Sequence, residues 1–112
     1  MDTPDHYTRQ RIMIVTFKTK SWANIVMFGD VAVVLLRMMG HSGTVPGALR
    51  ADEVGPARER LRAELDALDP DTPSPGKNAD DGEPAVTIHQ RAYPLLELLA
   101  AAEKAGREVM WE

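Results

Sequence analysis

Short apolar runs separated by polar residues predict the strands of this chain. Ile12–Phe17 is a nearly continuous run of β-branched and aromatic residues, which is typical of a strand buried on both faces, or packed on one face and covered by a partner on the other. Ile25–Phe28 is either a second strand or the first turn of a longer helix. Gly29 favours the strand, because glycine costs a helix interior about 1 kcal/mol relative to alanine. Glu108–Trp111 predicts a short final strand, which we expect to pair with the first.

A helix with little polar surface is predicted next to the second strand. Val31–Met39 is apolar at eight of its nine positions, with Arg37 as the exception. Such a helix is buried on several sides or meets a partner. Asp30 is a candidate N-cap for this helix, and Gly40 suits the position that follows a helix C-terminus.

Two further helices follow from a spacing of three and four residues between apolar positions. The first is expected to begin near Asp52 or Pro56. Its apolar face consists of Val54, Ala57, Leu61, Leu65 and Leu68. Thr87 and Gln90 fit a capping box at the start of the second, which is expected to end near Ala105.

The remaining segments predict loops and a tail around one domain. Residues 1–11 have no apolar periodicity and predict a disordered tail. Residues 69–84 have four prolines, two glycines and no large apolar residue, which predicts a flexible acidic linker. His41–Leu49 is rich in turn residues and predicts a loop. Residues 12–112 are therefore expected to form a single α+β domain, with a small two- or three-stranded sheet and three helices packed on one face.

Composition and charge exclude several classes of protein. The chain of 112 residues fits one domain and contains no cysteine, so disulfides and zinc-thiolate sites are absent. Residues 69–84 carry five acids against one lysine and account for the net charge of −4, which leaves 12 acids and 12 bases elsewhere. No basic patch indicates a nucleic-acid partner, and no apolar run is long enough to span a membrane. A cytoplasmic location is expected.

Four segments resemble a small proteobacterial family that is known as domain of unknown function number eighteen-forty. They are Ile14–Phe17 with Lys18 and Lys20, then Val26–Ala32, Arg91–Leu96 and Val109–Trp111. The four patterns occur in the family's order, and the resemblance covers both ends of the chain except the tail and the acidic linker. It implies a shared fold, and it implies no activity, substrate, cofactor or functional residue.

Few residues have the pattern of a reactive site. The three histidines are far apart and lack a second ligand at helical spacing, so we expect no metal, and no phosphate-binding or nucleotide motif indicates a cofactor. The candidate cluster is His89, Arg91 and Tyr93, next to Pro94. It either binds an anion or satisfies carbonyl groups that the proline leaves free, and the second interpretation is favoured.

The sequence therefore favours a non-enzymatic interaction domain that self-associates or docks on a protein partner. A symmetric homodimer would cover the residual apolar face of Val31–Met39 or a neighbouring strand edge. The alternative is a small-molecule or anion binder, possibly an enzyme, that uses Arg91 and its neighbours. An open pocket at Arg91 would favour the binder, and a buried, satisfied arginine would favour the interaction domain.

Overall fold

The computed structural model describes residues 13–75 and 86–112. The elements in chain order are β1 (Ile14–Thr19), β2 (Trp22–Phe28), α1 (Gly29–Met38), β3 (Gly47–Leu49), α2 (Ala51–Asp66), α3 (Ile88–Ala105) and β4 (Val109–Trp111). The fold class is α+β, as predicted. The predicted tail at 1–11 lies outside the described residues, and so does most of the predicted linker at 69–84, so both stay predictions.

In the described part of the chain the sheet has four antiparallel strands in the order β2–β1–β4–β3. The expectation of two or three strands was wrong, because β3 had been assigned to a loop. β3 is only three residues long, contains Gly47, and pairs with β4 from Gly47 opposite Trp111 to Leu49 opposite Val109. The predicted pairing of the first and last strands is confirmed, with Phe17 opposite Trp111.

Strands β1 and β2 form a hairpin, which confirms the strand interpretation of Ile25–Phe28. The register runs from Ile14 opposite Phe28 to Phe17 opposite Ile25, and then shifts so that Thr19 lies opposite Trp22. β2 therefore has one more residue than β1 between these pairs, which is a β-bulge. Only the part of β2 after the bulge is regular.

Helix α1 follows β2 without a loop, and its start differs from the prediction. It begins at Gly29, its N-cap is Phe28, and no side chain caps it. Asp30 lies in the first turn, so the prediction that it is the N-cap was wrong. The physical reason is that the β1–β2 pairing continues to Gly29, whose N–H donates to the carbonyl oxygen of Met13 (2.9 Å). The helix begins there, one residue before Asp30.

The C-terminus of α1 agrees with the prediction that Gly40 follows the helix. Gly40 has a φ of 90°, and its N–H donates to the carbonyl oxygen of Arg37 (2.9 Å). The N–H of His41 donates to the carbonyl oxygen of Leu36 (3.0 Å). These two bonds make a Schellman motif, in which a left-handed residue lets the chain reverse.

One face of the sheet is buried against the helices. Val15, Phe17, Val109 and Trp111 are buried, and they alternate with exposed residues such as Ile14 and Met110. The helices contribute most of the remaining core, which contains Val31, Ala32, Leu35, Leu36, Val54, Leu61, Leu65, Ile88, Ala92, Leu95, Leu98, Leu99 and Ala102. Leu68, predicted on the apolar face of α2, lies beyond the helix and is exposed.

Helix α3 begins with the predicted capping box. The N–H of Gln90 donates to Oγ1 of Thr87 (3.1 Å), and the N–H of Thr87 donates to Oε1 of Gln90 (3.0 Å). Its predicted end at Ala105 is confirmed, and Gly106 follows in the left-handed conformation. Ser74 and Thr72 pair with Val86 and Ile88 through the backbone, so the chain on the two sides of residues 76–85 is held together.

Replacing Thr87 with alanine tests this cap. The substitution leaves the Gln90 amide without its partner, so we expect the free energy of unfolding to fall by about 1 kcal/mol, within the usual range of about 0.5–2 kcal/mol. Urea denaturation followed by circular dichroism measures it. Thr44→Ala is the control, because the Thr44 side chain is exposed and bonds only to the Ser42 hydroxyl among the described residues. Equal stability of the two variants would contradict the assignment.

Candidate functional site

The three residues of the predicted cluster lie on the first turns of α3, but they do not share one surface. His89 and Tyr93 are one helical turn apart and both line a cleft of about 390 Å³ between α2 and α3. Arg91 does not line this cleft. The rest of the lining comes from Arg58, Arg62, Leu65, Asp66, Leu96, Glu97 and Ala100.

His89 connects the two helices. Its Nε2 donates a hydrogen bond to the carbonyl oxygen of Leu65 (2.8 Å), and since a carbonyl oxygen only accepts, Nε2 carries a proton. Nδ1 of His89 is buried and has no hydrogen-bond partner within residues 13–75 and 86–112. The ring is thus oriented by a contact between the end of α2 and the start of α3.

Arg91 and Tyr93 differ sharply in exposure. Tyr93 is 62% exposed at the rim of the cleft. Arg91 is half-buried, and within the described parts of the chain its Nε is buried without a hydrogen-bond partner. Arg91 therefore neither lines this cleft nor has all its polar atoms paired within the described residues, and the anion-binding role of the cluster remains a prediction.

Positive and negative side chains lie next to each other around the cleft, so their charges largely cancel. Nε of Arg58 donates to Oε1 of Glu103 (2.8 Å), and Nη2 of Arg58 lies 3.5 Å from Oε2 of Glu59. Arg62 shares the cleft with Asp66 and Glu97. Among the residues that the structure describes, no group of three or more histidine, aspartate or glutamate side chains is placed to hold a metal ion.

A second surface is the face of the sheet opposite the helices. Val26 and Phe28 on β2 are each 59% exposed, and Ile14 on β1 and Met110 on β4 are about half exposed. Ile14 lies opposite Phe28 across the two strands. We call Ile14, Val26 and Phe28 the apolar sheet patch. Contiguous exposed apolar residues of this kind often mark an interaction site.

The patch is bounded by an ion pair. Lys18 lies opposite Met110 across β1 and β4, and its ammonium group bonds to the carboxylate of Glu112. The hydrogen bond from Lys18, together with its positive charge, lowers the pKa of Glu112. Both side chains are well exposed to solvent, so the pair adds little to stability. The pair separates the apolar sheet patch from Met110, because Glu112 lies opposite Thr16 and Lys18 lies opposite Met110.

Among the residues that the structure describes, β2 is an outer strand, so the patch reaches a free edge of the sheet. β2 (WANIVMF) has neither a charged residue nor a proline, which are the residues that usually protect an edge strand. Ile25 and Met27 face the helices but are only partly buried, whereas their neighbours on β1, Phe17 and Val15, have no exposed surface. The core is thus incompletely covered at β2.

Sequence reasoning assigned these residues to strands but did not identify the surface. The signal was present in the nearly continuous apolar run of β1, for which a packed face plus a partner was one of two interpretations. Choosing between the two interpretations requires knowing which face of the sheet the helices cover, and only the tertiary structure shows this. The bulge in β2 gave no recognisable signal in the sequence.

The described residues contain no helix that is long and apolar enough to cross a membrane. Within residues 13–75 and 86–112, the fold and the exposed patch define a small α+β domain with a four-stranded antiparallel sheet that is open on one face. A family model described as Domain of unknown function (DUF1840) matches residues 13–111. The chain belongs to this family, which confirms the resemblance noted from the sequence. No curated protein and no solved structure matches it.

Proposed function

We propose that this protein is a non-enzymatic interaction domain that self-associates through the β2 side of its sheet. The observation that carries the proposal is the apolar sheet patch, which extends to an unprotected edge strand. Val26 and Phe28 belong to both features, since they are exposed on the open face and lie on β2. Covering this surface removes apolar area from water, which is the main favourable term in association.

A second copy of the chain suits this surface better than a charged partner. β2 has no charge, so two copies related by a two-fold axis bring apolar residues together without like-charge repulsion. A stable dimer buries about 800 Å² on each partner. Val26 and Phe28 supply part of this area, and the other incompletely buried residues of β2, among them Trp22, Ile25 and Met27, supply more.

Helix α1, the other candidate surface from the sequence, has less to offer. Val31, Ala32, Leu35 and Leu36 are buried inside the domain. Val34 is the large apolar residue that α1 leaves exposed, at 36%. The strand edge is therefore the better supported of the two interfaces that the sequence suggested.

Two matched valine substitutions test the proposal. Val26→Lys places a charge on the patch, and Val34→Lys places the same charge on the exposed side of α1. We expect Val26→Lys to weaken self-association at least about tenfold, because it places an unpaired positive charge from each copy in an apolar contact. Val34→Lys should leave it unchanged. Light scattering during size-exclusion chromatography over a range of micromolar concentrations measures the mass, and thermal unfolding checks that both variants fold.

Two outcomes would contradict the proposal. A wild-type protein that is monomeric at every accessible concentration would remove its basis. A dimer that dissociates with Val34→Lys but persists with Val26→Lys would place the interface on α1.

The alternative function, a small-molecule or anion binder, has weaker support. Arg91, its proposed centre, does not line the cleft that His89 and Tyr93 share. The arginines that do line it stand beside carboxylates. An anion would have to compete with these carboxylates for the guanidinium groups.

A further inference from the structure

The backbone of β2 has hydrogen-bonding groups that point away from the sheet at its free edge. The N–H of Gly29 donates to the carbonyl oxygen of Met13, so these two residues form a hydrogen-bonded pair of the β1–β2 ladder. In an antiparallel ladder such pairs alternate with pairs that are not hydrogen-bonded. Met27 and Ile25 therefore direct their N–H and C=O groups towards β1. Phe28 and Val26 direct theirs outward.

The bulge limits which part of this edge can pair. The bulge residues Ala23 and Asn24 lie between the paired residues Trp22 and Ile25, so the regular segment runs from Ile25 to Phe28. In one antiparallel register that keeps the helices of both copies on the same side of the sheet, Val26 lies on the two-fold axis. Val26 then exchanges two backbone hydrogen bonds with Val26 of the second copy. In that register Phe28 lies opposite Asn24 of the second copy.

The side chains fit the same register. Val26 packs against Val26 of the second copy on the open face. On the helix side, Ile25 lies opposite Met27 of the second copy, and Met27 lies opposite its Ile25. These are the inward-facing residues that the single domain leaves partly uncovered. The pairing therefore completes the core at β2 in both copies at once.

Building on the proposed self-association, we infer that two copies join through antiparallel β2 strands centred on Val26 into one continuous sheet. The sheet has eight strands, and the helices of both copies lie on the same side of it. The pairing also covers the β2 edge, which has no charged residue and no proline to protect it. It differs from a face-to-face packing of two sheets, which would leave both β2 edges free.

Single cysteines test the register, because the chain has no cysteine of its own. In a hydrogen-bonded pair the Cα atoms are about 5.5 Å apart, within the range of about 4.4–6.8 Å that a disulfide spans. Val26→Cys should therefore form a disulfide-linked dimer under mild oxidation. Asn24→Cys alone and Phe28→Cys alone should remain unlinked, because each cysteine lies about 13 Å from its equivalent, four strand residues away.

An equimolar mixture of the Asn24→Cys and Phe28→Cys proteins should cross-link, since these positions face each other in the inferred register. Val34→Cys is the control for random collision, because it lies on α1 and should stay unlinked. Non-reducing gel electrophoresis, with and without a thiol reductant, reads out all five samples. Three of the positions are strongly exposed, so the substitutions do not disturb the core.

The outcomes separate this inference from the proposed function. A dimeric protein in which Val26→Cys fails to cross-link, or in which Asn24→Cys alone links as fast as the mixture, overturns the register and leaves self-association standing. A monomeric wild-type protein overturns both. Both the register and self-association are supported if Val26→Cys and the mixture cross-link while Asn24→Cys alone, Phe28→Cys alone and Val34→Cys do not.

Discussion

Replacing Trp111 with alanine is expected to lower the free energy of unfolding by about 3–5 kcal/mol. Trp111 is 1% exposed and lies at the centre of a cluster of rings. Its ring centre is 5.9 Å from that of Phe17 and 4.9 Å from that of His41, which meets it edge-on. Its Nε1–H donates to the carbonyl oxygen of Thr44 (2.9 Å). The substitution therefore leaves a cavity and removes a hydrogen bond that fixes the loop before β3.

Met110→Ala is the matched control for this prediction. Met110 precedes Trp111 on β4 but points to the open face and is 46% exposed. Its truncation should cost less than about 1 kcal/mol, because little buried volume is lost. Urea denaturation of both variants at one low protein concentration limits any contribution from self-association. If Trp111→Ala were no less stable than Met110→Ala, the ring would not be the structural centre that the contacts indicate.

Replacing Gly47 with alanine is expected to destabilise the domain by about 1–3 kcal/mol through overpacking. A Cβ atom at this position would lie 2.6 Å from Cζ2 of Trp111 and 2.7 Å from its Cε2 and Nε1. Gly47 and Trp111 are opposite each other across β3 and β4, so the ring lies over the glycine. The ring is buried on its other sides and has no space to move away.

Gly55→Ala provides a control with a similar distance and a different neighbour. Its Cβ would lie 2.7 Å from Oε2 of Glu103, which is the far end of a flexible side chain and not a buried ring. Alanine favours a helix interior by up to about 1 kcal/mol over glycine, and Pro56 offsets this gain by restricting the residue before it. Gly55→Ala should therefore cost less than Gly47→Ala in the same denaturation experiment.

A double variant shows whether the cost at Gly47 arises from the tryptophan ring. In the Trp111→Ala background the added methyl group has room, so Gly47→Ala should cost much less than it does alone. Such non-additivity is expected for residues in contact. Strictly additive effects of the two substitutions would show that the strain at Gly47 has another source.

Local signals in the sequence were sufficient for most of the secondary structure. The apolar runs of β1 and β4 located both strands, and Thr87 with Gln90 located the start of α3. β3 could not be predicted, because Gly47 and Ala48 have low strand propensity and form a strand only where β4 offers an edge. The N-cap at Asp30 was wrong for a related reason. The β1–β2 pairing continues to Gly29, where α1 begins, and the sequence does not reveal this pairing.

The candidate surfaces depended even more on tertiary structure. The apolar character of Ile14, Val26 and Phe28 was evident from the sequence, but their exposure was not. It follows from the helices covering only one face of the sheet. In the same way, nothing local to His89 indicated that its ring would bond to the backbone of Leu65, 24 positions away.

The pairing of β1 with β4 also determines when the domain can fold. The two strands at the centre of the sheet are among the most distant elements in sequence, and the contact of Lys18 with Glu112 joins residues 94 positions apart. Contacts of such separation carry a large loop-closure entropy and slow folding. During synthesis, β4 leaves the ribosome after every other element described here. Until then the β1–β2 hairpin presents a second apolar edge at β1. The nascent chain is therefore exposed to aggregation at a strand that the finished domain buries in its centre.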